Sequence, residues 1–410
     1  MNTLFIGFRT STSALARHVA IKCPNDNVDL VGLPLINNIP ENLNYLGNFN
    51  NKIDDCFEWL KKQKYDFIYC AEYDWQVMEE FQEWRKTSDS IILCPAIETS
   101  ILEKNKLECK KILDKLEIPN SEYKILENDD SEDVMNWVEK YGKCVLKLSD
   151  AWTSSGLQTR IVADDSYKNL LKMFRDYGYS GKVYIEKFIK GKEASVQFLC
   201  NGNEALFLGA ARDYKKLYED DLGQNCSSAG CYSPIEYFDA EKIELVTSYA
   251  NKLINYFKEN DVPYIGMMYI GIIIDDNDKT FILEINVRPG NPEFNNVLQR
   301  IESNNLLKNM INATLQKDME KIQFNDDHVL TINLLHKKYS PVIEYAEEPI
   351  LNVPDNYLIE MFDTSIRKQI YCSITNKSKN REQLVEEMHN HLLEMKKGSY
   401  RYRYDVGYLI

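Results

Sequence analysis

The sequence predicts an α/β protein with a doubly wound parallel sheet at its N-terminus and a small α+β unit at its end. Three observations carry this. Over residues 1–98 short apolar strand patterns alternate with amphipathic helix patterns, which implies a parallel sheet. Between 121 and 189 the pattern reads β-α-β-β-α-β. From 193 onward long strands are joined by tight turns, with Asn201-Gly202 as the clearest hairpin signal. A chain of 410 residues is too long for one core and should divide into about two or three domains.

The elements follow in order. Asn2–Gly7 reads as a buried strand, with a helix from Thr12. Next come strand Val28–Leu33, helix Ile53–Lys62, strand Asp66–Cys70, helix Trp75–Lys86 and strand Ile91–Cys94. Ligands of such sheets sit beyond the carboxyl ends of the strands. Two loops lie there, Gly7–Ser13 and Ala71–Trp75. The first offers hydroxyls and Arg9 at a helix start, which suits an anion and equally suits an ordinary Ser/Thr N-cap. Ile101–Leu116 is an amphipathic helix whose lysines, 104, 106, 110 and 111, should mostly be solvated. Strands Tyr123–Leu126, Cys144–Leu148, Leu157–Val162 and Lys182–Glu186 flank helices Asp130–Tyr141 and Asp165–Tyr177. The loop Ser149–Gly156 could present backbone N–H groups to phosphates beside Lys147, or be a solvent hairpin. Asp213–Pro234 reads as a long irregular segment, and such loops are functional or disordered. Helix Glu241–Asn260, a hairpin of Tyr264–Ile274 with the strand from Phe281, and helix Asn305–Leu315 follow. The tail 327–410 carries short strands and a helix, Arg381–Lys397.

The most informative stretch is Phe281–Glu293. A period of two puts Phe281, Leu283, Ile285 and Val287 on one face, and Ile282, Glu284, Asn286 and Arg288 on the other. Glu284 and Asn286 offer oxygen donors that suit Mg²⁺, and Arg288 could grip a carboxylate or phosphate. The same residues would also make a plain exposed polar face.

Bulk properties exclude several classes. A net charge of −14 argues against a nucleic-acid surface. The 10 cysteines lack CxxC pairs and zinc-type spacing, so they should be reduced thiols, mostly in the core. No apolar run has membrane-spanning length and Met1–Gly7 does not look like a leader peptide, so a cytoplasmic location and no membrane partner are expected.

Ordered motifs then point to a family. Leu102-Glu103-Lys104-Asn105-Lys106 looks like a segment ending in an ATP-binding lysine, and Val145-Leu146-Lys147 like the strand bearing a second. Tyr184–Ser195 resembles a hinge followed by GEEAS, and Ala211–Lys216 resembles QDHKR. Gly223-Gln224-Asn225 through Gly230–Pro234 is similar to GPNTGGMGAYSP, and Gly266–Gly271 to GxLYAG. Glu284–Glu293 is similar to EFNCRFGDPE. Together they resemble the ATP-grasp superfamily and, within it, phosphoribosylamine–glycine ligases.

That resemblance implies an ATP-grasp fold. It places an N-terminal domain at 1–98, a core at 99–120 and 190–325, a lid at 121–189 and a C-terminal domain at 326–410. It implies a ligase that uses ATP and Mg²⁺ (or Mn²⁺) to join a small-molecule carboxylate to an amine through an acyl phosphate, as a monomer or homodimer. Lys106 and Lys147 would hold phosphates, with Ser154, Ser155 and Gly156 in the lid loop. Glu186 and the backbone at Phe188 would meet adenine, and Glu193 the ribose. Glu284 and Asn286 would hold the metal, and Arg288 the carboxylate. Asp213 would lie near an amino group, and Arg9, Asn225 and Ser233 would complete the substrate side.

Departures from the family pattern matter. The glycines after Gly7 are replaced by Phe8–Ser13, whose Cβ atoms crowd a phosphate approach. The GPEAPL-type loop is replaced by Ala71–Gln76, where Tyr73 and Trp75 could stack on a planar acceptor or pack a helix. The lid loses most glycines and its lysine, and TGG becomes Cys226-Ser227-Ser228. The expectation is a small amino-acid donor and an acceptor other than phosphoribosylamine. The alternatives are the family's own activity or a nucleotide-binding protein without turnover.

Overall fold

The computed structural model describes residues 1–410 except 71–72, 127–130, 151–158, 164–166, 177, 340–342, 344–345, 364–368 and 409–410. Five strands form the first sheet: β1 (Asn2–Gly7), β2 (Asn27–Gly32), β3 (Leu43–Gly47), β4 (Phe67–Tyr69) and β5 (Ile91–Leu93). Their order is β3-β2-β1-β4-β5, all parallel, as the strand–helix alternation predicts. β3 has no counterpart in the sequence reading, because its alternation is blurred by three exposed residues at an edge. At the carboxyl ends of β1 and β2, Gly32 sits at φ +148, and a Cβ there would lie 1.8 Å from the Gly7 carbonyl oxygen. Only glycine allows that approach.

The helix after β1, α1 (Thr10–Lys22), starts two residues earlier than predicted. Its hydroxyl run is buried inside the first turn, and its cap residue, Arg9, makes no side-chain capping bond. Helix α2 (Ile53–Leu60) holds its predicted place. The predicted helix Trp75–Lys86 is two pieces, α3 (Tyr73–Gln76) and α4 (Glu79–Trp84). Trp75 is fully buried, its ring edge-on to Phe57 at 6.3 Å and to Phe81 at 5.1 Å. It packs the helix layer and is not available to stack on a ligand.

The predicted helix 101–116 is likewise broken, into α5 (Ile101–Lys104) and α6 (Lys106–Lys115). Asn105 caps α6, accepting from Glu108 N–H at 3.0 Å. A four-stranded sheet follows, built from β6 (Tyr123–Leu126), β7 (Cys144–Leu148), β8 (Thr159–Val162) and β9 (Val183–Lys187) in the order β6-β9-β7-β8. Helices α7 (Ser131–Tyr141) and α8 (Tyr167–Asp176) belong to this unit, whose core gathers Leu146, Ile185, Leu171 and Phe174.

The rest of the chain centres on one antiparallel sheet of nine strands. They are β10 (Gly191–Asn201), β11 (Ala205–Asp213), β14 (Gly230–Ser233), β15 (Ile265–Asp275), β16 (Thr280–Asn286), β17 (His328–His336), β18 (Leu358–Met361), β19 (Ile370–Ser378) and β20 (Tyr400–Arg401). Strands β12 (Lys216–Tyr218) and β13 (Leu222–Asn225) form a separate hairpin. The segment 213–234 is therefore ordered into three short strands, a correction to the irregular loop read from its polar composition. The sheet order β16-β15-β10-β11-β14-β17-β19-β18 carries the tail strands directly onto the central ones. Helices α9 (Ala240–Glu259), α10 (Glu293–Arg300), α11 (Leu306–Thr314) and α12 (Arg381–Glu394) complete the chain. Among the described residues, no helix is long and apolar enough to cross a membrane.

Candidate active site

Strand β16 sets the site. Its pairing with β15 slips between Gly271 and Ile272, so a bulge falls at Leu283–Glu284. The bulge corrects the strict alternation expected from sequence. Ile282 joins Ile285 and Val287 in the core, while Leu283 shares the cavity face with Glu284, Asn286 and Arg288. The turn beyond is fixed by Gly290, whose N–H donates to Gln197 Oε1 at 3.1 Å. A Cβ on Gly290 would come within 2.7 Å of Gln197 Nε2, so a larger residue there would have to displace that amide.

The cavity facing β16 has a volume of about 590 Å³, within the range of small-ligand sites. Arg9, Lys106, Lys147, Glu186, Phe188, Glu193, Asp213, Asn225, Glu284, Asn286 and Arg288 all line it. Ser233 does not. It is buried in β14 and donates to the Ala210 carbonyl at 2.7 Å, so its role is to hold the sheet. Ser154, Ser155 and Gly156 lie outside the described residues.

Among the described residues, seven cationic and seven carboxylate side chains line this cavity. Glu186 bridges two lysines, Lys110 at 2.9 Å and Lys147 at 2.8 Å. Burial opposes its charge, but Lys147 and Lys110 outweigh that and hold the carboxyl below its usual range. Lys110, expected to be solvated, is instead buried and also donates to the Ser121 carbonyl at 3.0 Å. Lys104 and Lys111 are exposed, as the helix pattern suggests. Lys106 is half-buried and, among the described residues, its ammonium has no ion-pair partner. Burial lowers its pKa, partly offset by Glu284.

Lys215 Nζ lies 3.5 Å from both Glu193 and Glu284. Burial would raise the Glu284 pKa, but Lys215, Lys106, Lys147 and Arg288 pull it down to about 2. Arg288 is oriented by a residue that sequence reading left without a role. Glu103 accepts from Arg288 Nε at 2.9 Å and from Val287 N–H at 3.1 Å. The other guanidinium nitrogens donate to Asn286 Oδ1 at 3.3 Å and to the Pro289 carbonyl at 3.2 Å.

At the far end two carboxylates face each other. Burial, then the charge of Glu293, pushes Asp213 well above the usual carboxylate range. Glu293 is likewise raised, chiefly by burial. Ser228 donates to Asp213 at 2.6 Å and Ser195 to Glu293 at 3.2 Å. A cationic amine placed between them would relieve their repulsion.

The hinge has one donor fewer than expected. Phe188 N–H donates to the Lys143 carbonyl at 3.3 Å, so that donor is already engaged within the protein. The apolar wall beside it is supplied by Ile273 and Leu283.

The first loop closes on the turn after β16. Asn291 Oδ1 accepts from Thr10 Oγ1 and from Ser11 N–H, the latter at 3.2 Å. Asn295 donates to Thr10 Oγ1 at 3.3 Å and to Glu360 at 2.9 Å, and Glu360 pairs with the buried Arg17 at 3.0 Å. Thus α1, the turn and tail strand β18 meet in one buried polar network. Phe362 and Ile370 of the tail line the cavity on this side, with Tyr73 and Asp74 from α3.

Comparison with known proteins agrees with this geometry. A family model described as the ATP-grasp (A) domain of phosphoribosylglycinamide synthetase matches residues 104–294. Phosphoribosylamine–glycine ligase of Leptospira interrogans is 26% identical over 264 residues, which cover 63% of this chain and 61% of that enzyme. The chain thus aligns with about three fifths of the length of this relative. The Fusobacterium nucleatum enzyme of the same name is 24% identical over 438 residues, covering 100% of this chain and 99% of the relative. The crystal structure of phosphoribosylamine–glycine ligase from Thermotoga maritima superposes with a TM-score of 0.77 at 19% identity, covering 99% and 100% of the two chains. The chain has the ATP-grasp fold and resembles this group of proteins.

Proposed function

We propose that the protein is an ATP-dependent carboxylate–amine ligase that releases ADP and phosphate. One observation carries this reading most. The cavity sets Lys106, Lys147, Lys215 and Arg288 near Glu284, whose carboxyl they hold ionised, on the strand face that also presents Asn286. Such a cluster suits a polyphosphate with its divalent cation and not a neutral ligand.

In this reading Lys106 and Lys147 hold the nucleotide phosphates, and Glu193 takes the ribose hydroxyls. The base lies against Ile273 and Leu283 with the Phe188 carbonyl at its edge. Glu284 and Asn286 hold Mg²⁺ or Mn²⁺; they fit it because a hard cation takes one or two side-chain oxygens and fills its remaining positions from phosphate and water. The metal, when bound, neutralises phosphate charge. Arg288 holds the donor carboxylate where its oxygen can attack the γ-phosphorus, which yields an acyl phosphate and ADP. The amine then attacks the acyl carbon and phosphate leaves. The raised carboxylates Asp213 and Glu293 suit an ammonium group at the substrate end, and either can take up the proton the amine releases.

The names of the relatives support glycine as donor and phosphoribosylamine as acceptor. A second reading, with another acceptor, draws on the Asn291 clasp: its carboxamide occupies the start of α1, where a sugar phosphate would otherwise meet backbone N–H groups. Purified protein with ATP, Mg²⁺, glycine and freshly generated phosphoribosylamine, scored by ADP release and product mass, separates the two. Turnover with this pair supports the first acceptor, and ADP release only with other amines supports the second. AMP as product, or no nucleotide binding, overturns the ligase reading itself.

A further inference from the structure

The wall of the cavity that carries Asp213, Lys215, Lys216 and Asn225 is held from outside by residues 401–408. Arg403 is fully buried and lines no part of the cavity. Its NH1 donates to the Lys216 carbonyl at 3.2 Å. Its NH2 pairs with Asp405 at 2.8 Å and with Asp221 at 2.8 Å, and Nε closes a second bond to Asp405. Asp405 in turn accepts from Asp220 N–H at 3.0 Å. Arg401 grips both oxygens of Glu219, at 3.0 and 3.1 Å. Beneath them the Tyr214 hydroxyl accepts from Gly407 N–H at 3.0 Å. The tail therefore touches residues 214, 216, 219, 220 and 221, the rising half and the tip of the β12–β13 hairpin. The falling half is tied back by Cys226 N–H to the Lys215 carbonyl at 2.7 Å.

We propose that Arg403, Asp405 and Arg401 are positioning residues for the cavity: they latch the β12–β13 hairpin so that Lys215 and Lys216 project into the site at fixed places. None of the three reaches the cavity. They act through the backbone of Lys216 and through the turn beyond it. An isolated two-stranded hairpin is at best marginally stable in water, so its register needs support from elsewhere. A bidentate guanidinium–carboxylate pair that also binds a backbone carbonyl supplies that support with defined direction. The latch stands on geometry alone; only the kinetic arm of its test rests on the ligase reading.

The test uses the full chain and avoids Arg403, whose buried charge network could be needed for folding. Asp221 is half exposed and Arg401 a quarter exposed, so Asp221→Asn with Arg401→Ala cuts the latch from its outer side. Trypsin cleavage after Lys215 and Lys216, followed by mass spectrometry, should run about tenfold faster in the double variant than in wild type. Cleavage after exposed Lys104 serves as control and should not change. In steady-state assays KM for ATP should rise about fivefold with kcat within about twofold, and Arg401→Lys in the Asp221 wild-type background should restore most of the loss. Unchanged cleavage after Lys215 and Lys216 overturns the latch. Equal acceleration at every site overturns it too, since that marks general destabilisation. A loosened hairpin with unaltered KM overturns its link to the cavity. A wild-type protein that turns over no substrate counts against the ligase reading, and the proteolysis arm still decides the latch.

Discussion

Replacing Glu103 by glutamine tests how Arg288 is held. The two Glu103 oxygens serve two donors, Arg288 Nε and Val287 N–H, in a site where Glu103 is 13% and Arg288 17% exposed. Glutamine keeps one oxygen and places an NH₂ group against the other donor. The bond to arginine loses its ion-pair partner, worth about 1 kcal/mol, and one buried donor faces another, worth about 1–3 kcal/mol. The sum is about 2–4 kcal/mol of stability, readable as a shift in urea midpoint. The guanidinium, which the proposed function assigns to the donor carboxylate, would then be held chiefly by its bonds to Asn286 and Pro289. Removing a charge-stabilising donor outright costs about 10²–10³ in rate, so misorienting one should cost about tenfold to a hundredfold in kcat. KM for ATP should stay within about threefold, because Lys106 and Lys147 are untouched. Urea titration and steady-state ADP release measure both. A Glu103→Gln protein with wild-type midpoint and kcat within about twofold would refute the assignment.

Other substitutions probe the remaining features. Glu284→Gln should lower stability at pH 7, because the folded pKa of about 2 lies below the ordinary 4.5 and the charged form is favoured by folding. That difference should shrink as pH falls from about 4.5 towards 2; a gap in urea-derived stability that is the same at pH 7 and pH 3 would contradict it. Lys106→Met should leave the thermal midpoint of the nucleotide-free protein unchanged or higher, since burial disfavours its charge, yet cut nucleotide affinity about tenfold or more by calorimetry. A fall in both would mean that the ammonium stabilises the fold. Trp75→Ala should cost about 3–5 kcal/mol of stability while leaving substrate KM unchanged in the folded fraction, as befits a core residue.

Much of this architecture was legible because it is local. Tyr123–Leu126 and Cys144–Leu148 match their predicted bounds to the residue, since their apolar patterns end at polar residues on both sides. Glu284, Asn286 and Arg288 share a face because a strand dictates it. The bulge at Leu283 was not legible, for it depends on the register imposed by β15. The break at Asn105 carried a signal that went unread, an Asn three residues before Glu108, in a helix pattern otherwise continuous. Lys110 reads in sequence as a solvent-facing helix charge, and Glu103 carries no role there. Their partners, Glu186 and Arg288, are 76 and 185 residues away in the chain, and only the fold brings them together. Of the short strands between 213 and 234, β14 forms because the β11 edge and β17 await it, while β12 and β13 pair with each other.

Strand β14 has a consequence for how this chain can be divided. Its four residues lie between β11 and β17, pairing with both. On one side is the sheet that holds Glu284, on the other the strands of the tail. The chain cannot be cut before His328 without baring the backbone donors and acceptors of β14 along a sheet edge, beside the apolar groups of Tyr232 and Cys231. A sheet severed there would present a sticky border to its neighbours in solution. The tail is thus a splint along the broken side of the central sheet.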